Sequence, residues 1–208
     1  MKQIRKILKK ILIIINKFFA KFGFLIVPMH YYLPITNINT LNERKKLFEP
    51  VSFENINYNH DESIELLKSM KNYINESKEN NNYYELVKNN IGPGFGYIES
   101  VILSALLRDK KPKKIIEIGS GISTAIIIDS LTKNGQEFQF WSIEPYPNKN
   151  LLNYFNNNNC KISKNFAEDM NVQELVDFQP DFLFIDSTHT VKPMGDVEFI
   201  YTRLLPKL

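Results

Sequence analysis

The segment Lys113–Thr124 reads KKIIEIGSGIST, a β-branched run followed by two glycines and two hydroxyl residues. Gly119 and Gly121 make a tight strand-to-helix turn, and with no Cβ in the way a ligand can approach the backbone there. About 20 residues past that turn, Phe138–Ile143 ends in Glu144, a carboxylate placed to accept hydrogen bonds from ribose hydroxyls. The run Asp181–Asp186, DFLFID, delivers Asp186 at its carboxyl end, with Thr188 and His189 in the loop just beyond. His189 is a proton acceptor suited to chemistry near neutral pH. Alternatively, Asp186 and His189 are two ligands of a divalent metal that lowers an acceptor's pKa. Each residue also has a plainer reading: Glu144 as a solvated carboxylate, Asp186 as a helix cap, His189 as a structural loop residue.

These side chains converge only if the runs before them lie side by side. Ile115, Ile116 and Ile118 form a short strand of the kind buried in parallel sheets. Phe138–Ile143 predicts a second strand, Lys161–Phe166 a weaker third ending near Ala167, Glu168 and Asp169, and Asp181–Asp186 a strong fourth. Ser123 and Thr124 offer capping hydroxyls before a helix over Ala125–Leu131. Helical patterning resumes from Gly195, with Val197, Ile200, Tyr201, Leu204 and Leu205 on one face. The glycine-rich stretch Ile91-Gly-Pro-Gly-Phe-Gly96 has no strand before it, so it reads as a hinge into a helix over Tyr97–Arg108 and only weakly as a phosphate loop. Strands alternating with helices predict an α/β domain with a Rossmann-like parallel sheet.

In this order and spacing, IIEIGSGIST, WSIEPYP and FLFIDSTH resemble class I S-adenosylmethionine-dependent methyltransferases, in particular a bacterial group with an Ile-Asp-Ser-Ser-His-like loop after strand 4. The resemblance covers roughly residues 91–208, with a fainter echo at Tyr31–Ile35. It implies a cofactor, S-adenosylmethionine, whose methionine end is held by Glu117 and by the backbone of Gly119, Ser120 and Gly121. Ser123 joins that set where many members carry a third glycine. The resemblance puts Glu144 on the ribose, Ala167 and Glu168 beside the adenine, and Asp186 beside the sulfonium, with Asp186 and His189 as the catalytic pair. The transfer then asks mostly for alignment in a site that excludes water, which accounts for the lack of a nucleophile triad. The class has seven strands and this sequence stops at Leu208 after the fourth, so it reads as a partial methyltransferase sheet, strands 1–4, with strand 4 an apolar edge. Two other readings stay open. One is a non-catalytic cofactor- or membrane-binding module. The other is an NAD-dependent oxidoreductase, against which Thr124 stands where that fingerprint wants Gly or Ala.

The 208 residues carry 26 basic and 23 acidic side chains, a net +3 that is too weak to argue for nucleic acid. The single cysteine, Cys160, excludes an intrachain disulfide and any Cys-based zinc cluster, and suits a reducing cytoplasm. Cys160 has no base nearby in sequence and reads as structural. Residues 1–27 are basic and apolar together. Ile4, Ile7, Leu8, Ile11, Leu12, Ile15, Phe18, Phe19 and Phe22 recur at three- and four-residue steps, and Lys17 and Lys21 break any membrane-spanning run. The pattern predicts a basic amphipathic helix stopped at Gly23. It either packs on its own domain or a second subunit, or lies in the inner membrane interface. The organisation predicted is residues 1–27 as that helix, 28–90 as connector and helical extension, and 91–208 as the Rossmann-like domain. The partner expected is a small-molecule acceptor.

Overall fold

The computed structural model describes residues 2–29, 33–35, 59–92, 95–156 and 160–208, with backbone alone for 2–9 and 156. Tyr31, Tyr32 and most of the proline-bearing connector lie outside the described residues. Helix α1 spans Lys2–Phe19 and runs on into a 3-10 turn, Ala20–Phe22. Gly23 ends it at φ +79°, a left-handed cap that glycine adopts without a Cβ penalty. Among the described residues that follow are α2 (His60–Ser69), α3 (Lys71–Glu79), α4 (Tyr83–Lys88) and α5 (Tyr97–Lys110). The sheet region then alternates as β1 (Lys114–Ile118), α6 (Ile122–Lys133), β2 (Gln139–Ile143), β3 (Cys160–Ser163), α7 (Val172–Phe178) and β4 (Phe182–Ile185). Last comes α8 (Asp196–Phe199), which continues as a π-helix over Ile200–Leu204.

Two expectations need correcting. The periodicity over Asp61–Lys78 suggests one helix, yet the chain breaks at Met70. There Ser69 Oγ donates to the Leu66 carbonyl, a local bond that competes with helix continuation. Only Met70 of that apolar stripe is buried; Ile64 and Leu67 face solvent. The third strand stops at Ser163 rather than Phe166. It pairs with β2 from Phe140↔Cys160 to Ile143↔Ser163, and β2 itself ends there, so later residues have no ladder to join. Ala167–Asp169 form a 3-10 turn instead.

All four strands are parallel in the order β3-β2-β1-β4, with helices on both faces, the Rossmann-like α/β arrangement. Alternation along the buried strands splits the core in two. On one face Ile115 and Phe140 pack with Leu103 and Leu107 of α5 and Ala125, Ile127 and Leu131 of α6. On the other, Ile116, Ile118, Trp141 and Ile143 meet Leu175, Phe199, Ile200 and Leu204. Each such fully buried aliphatic side chain contributes roughly 1.5–3 kcal/mol. Trp141 is further fixed by its Nε1, which donates to Ser163 Oγ at 2.9 Å, by the Lys161 ammonium 3.7 Å above its ring centroid and by the edge of Phe178.

Candidate functional site

The register aligns the carboxyl ends of the strands. Ile118 stands opposite Ile143 and Ile185, and Ile143 opposite Ser163. The ladder extends one residue beyond, with Gly119 N–H donating to Ile143 O, Glu144 N–H to Ser163 O and Asp186 N–H to Ile118 O. Gly119, Glu144 and Asp186, scattered over 68 residues of sequence, thus sit side by side on one edge. Because β4 lies across β1 from β2, the crevice between β1 and β4 is the point where strand order reverses, the usual ligand position in open parallel sheets. Gly119 adopts φ +100°, and an added Cβ would come 2.0 Å from the Asp186 carbonyl oxygen. The bare Cα is therefore a requirement of the crevice.

Glu117 shares the face of Ile115 and points under the glycine turn, wholly buried. Ser123 Oγ donates to its Oε1 at 2.8 Å and Thr124 Oγ1 to its Oε2 at 2.6 Å. Thr124 Oγ1 also accepts from the Gly121 N–H at 3.0 Å. Burial pushes the Glu117 carboxyl up to about 8, against the hydroxyl bonds from Thr124, Ser123 and Ser142, with repulsion from Asp186 adding to the rise. Glu117 and Ser123, which the resemblance places at the methionine end of a cofactor, bond to each other beneath the turn. Strand alternation from Ile115 could have indicated this.

Glu144 does stand at the edge. Burial raises its pKa, opposed by hydrogen bonds from the Tyr146 and Ser120 N–H groups, the first at 2.7 Å. A carboxylate has about four acceptor positions, so capacity remains for hydroxyl donors. Ser120 Oγ and Glu168 Oε2 are buried without a hydrogen-bond partner among the described residues. Such orphans cost about 1–3 kcal/mol each and call for a ligand donor or water. Burial raises the Glu168 pKa as well, with Asp196 and Asp169 adding to the rise and its own backbone N–H and Lys192 opposing it. The Ala167 methyl is buried in the second core cluster.

Asp186 and His189 do meet. Imidazole Nε2 lies 2.8 Å from Asp186 Oδ1, with the histidine 74% exposed and the aspartate 28%. His189 sits at φ +55° and Met194 at +58°, so the loop after β4 is held in an uncommon backbone shape. Its anchor is Asp196, buried at the start of α8, which accepts from Thr188 N–H at 2.8 Å and Thr188 Oγ1 at 2.7 Å. Burial alone would raise the Asp196 pKa, but bonds from Thr188, Ser187 and Val197 outweigh it and hold the pKa below 3.8. Asp196→Asn is expected to cost about 1–3 kcal/mol in urea unfolding, since an amide NH2 then faces a donor. A lowered carboxylate pKa stabilises above its unfolded value, so the deficit should close as pH falls below 3.8. A pH-independent deficit would refute the anchor role.

Gly92, in the stretch whose sequence reads as a hinge, belongs to this neighbourhood: a Cβ on it would lie 2.6 Å from Gly121 Cα. No local signal reveals that, because the contact is tertiary. Asn148 and Asn150 tie the same segment to the chain after β2 through the Asn90 and Asn89 carbonyls. Burial pushes the Cys160 thiol up to about 11, which leaves it unreactive. Among the described residues no three His, Cys, Asp or Glu side chains cluster to hold a metal ion, and Asp186 and His189 stand as a pair.

No family model matches the chain. An uncharacterized protein of Archaeoglobus fulgidus is 30% identical over 139 residues, a match spanning 62% of this chain and 62% of that protein's length. The chain therefore spans less than two thirds of that relative. Among solved structures, the SAH-bound methyltransferase PaMTH1 of Podospora anserina is similar at a TM-score of 0.38 and 18% identity, over 63% of this chain and 59% of that one.

Proposed function

We propose that this chain is an S-adenosylmethionine-dependent methyltransferase acting at a hydroxyl oxygen of a small-molecule, sugar or lipid acceptor. The observation that carries the reading is the glycine turn at the strand-order reversal. It sets Gly119, the ribose-type acceptor Glu144 and the carboxyl end of β4 on one edge, with the buried Ser120 Oγ, unpartnered among the described residues, in the turn itself. These residues suit the group. The backbone of Gly119–Gly121 can take the methionine end, Glu144 the ribose diol and Glu168 a donor of the adenine, while Glu117 and Ser123 brace the turn from below. S-adenosylmethionine, when bound, supplies an electrophilic methyl group. His189 takes the proton that the acceptor hydroxyl loses. Nε2 lies 2.8 Å from Asp186 Oδ1; in the tautomer whose Nε2–H donates to that carboxylate, Nδ1 is the acceptor, and the carboxylate stabilises the imidazolium that forms.

Titration calorimetry tests the reading directly. Wild type is expected to bind S-adenosylhomocysteine and to give no heat with NAD. Glu144→Ala should weaken binding by about 1.5–3 kcal/mol, roughly ten- to hundredfold, the range for hydrogen bonds to a charged group. Equal affinity of variant and wild type, or a preference for NAD, would overturn it.

A further inference from the structure

We propose that α1 and the turn behind it form a docking surface for an anionic lipid bilayer. The proposal goes beyond methyl transfer and depends on none of it.

At about 100° per residue, Ile11, Ile14, Ile15, Phe18, Phe19 and Phe22 fall on one broad arc of the helix, and Lys10, Lys17 and Lys21 line one border of it. The apolar arc is open: Ile14 is 68% exposed, Phe18 59% and Phe22 63%. The rings of Phe18, Phe19 and Phe22 cluster with centroids 5.5 Å apart. After Gly23 the chain folds back, clamped by Asn16, whose side chain donates to the Ile26 carbonyl and accepts from the Ile26 N–H, both at 2.7 Å. The clamp brings Phe24 and Leu25, 65% and 73% exposed, beside the helix end and widens the same apolar surface.

Charge identifies the occupant. Residues 1–27 hold seven of the 26 basic side chains and none of the 23 acidic ones, leaving 19 basic against 23 acidic in the rest. The segment is thus +7 on a body of −4. The same segment of a second copy brings no carboxylate to pair with these lysines, so two such helices laid together would repel. Anionic phosphate headgroups pair with them along the whole length, while the phenylalanines enter the acyl boundary to a depth of about 5–10 Å. No helix among the described residues is long and apolar enough to cross a membrane, so the helix lies in the interface plane.

The experiment is co-sedimentation of the full chain with vesicles of phosphatidylcholine, or of an equimolar phosphatidylcholine–phosphatidylglycerol mixture. At low salt the chain should partition at least about tenfold better onto the mixed vesicles, and about 0.5 M NaCl should release it. Phe18→Ser with Phe22→Ser should abolish partitioning while leaving the melting of the sheet unchanged. Ile13→Ser, 56% exposed but projecting on the lysine side, should leave partitioning intact. Adsorption equal on neutral vesicles, indifference to salt, or equal loss in Ile13→Ser would overturn the proposal. So would a stable dimer by light scattering that ignores vesicles, or tight capture by an acidic protein surface in their place.

Discussion

Gly119→Ala is expected to lose the cooperative unfolding of the sheet. Two penalties meet at this residue. Its φ of +100° is one that L side chains rarely adopt, and the new Cβ would lie 2.0 Å from the Asp186 carbonyl oxygen and 2.8 Å from its carbonyl carbon. Both atoms are backbone, so no side chain can swing aside. β1 and β4 must part where Asp186 N–H donates to Ile118 O, and the two central strands lose their alignment. The loss should exceed about 4 kcal/mol, the scale of the most damaging single substitutions. Gly135→Ala is the control: it carries φ +68° with nothing within 4 Å, so it should cost only about 1 kcal/mol of conformational strain. Thermal melting of both variants decides the matter. If Gly119→Ala melts no lower than Gly135→Ala, the close approach is not a constraint.

The pH dependence of stability should carry the signature of Glu117. Its carboxyl ionises near 4.5 in the unfolded chain and about 8 in the fold. Below 4.5 both states hold the proton and the group adds no slope. Between 4.5 and about 8 the unfolded chain loses the proton that the fold retains, so stability declines by as much as about 1.4 kcal/mol per pH unit. Above 8 both states are ionised and the loss is complete, a few kcal/mol in all. Glu117→Gln keeps the shape without the titration. Its melting temperature should therefore fall less than that of wild type between pH 5 and 8, and it should be the more stable protein at pH 8. Parallel curves would mean the carboxylate is solvated within the fold.

Legibility in the sequence followed the physics of each element. β1 and β2 are apolar runs that are mostly buried, and β4 is an apolar run that is half-buried; all are bounded by glycine or acid, so they read clearly, and with them the edge that carries Gly119, Glu144 and Asp186. β3 has one partner strand and takes its length from where β2 ends, which no local pattern encodes. The break between α2 and α3 was hidden because periodicity marks an apolar stripe without saying how much of it finds cover. In the site, residue types were legible and directions were not. Glu117, Ser123 and Thr124 stand in the right place but spend their polar atoms on one another. The packing of Gly92 on Gly121 joins positions 29 apart with no shared motif, so only the folded backbone reveals it.

Trp141, the single tryptophan in 208 residues, makes the protein its own optical reporter. Its indole is 4% exposed, held beneath an ammonium and hydrogen-bonded to the neighbouring strand. Native emission should therefore be short in wavelength, and the red shift on denaturation records the opening of the core around β2. The indole is three residues from Glu144, in the same strand layer, and far in sequence from α1. Emission will therefore follow events at the strand ends, and vesicle adsorption through α1 should leave the spectrum as it was.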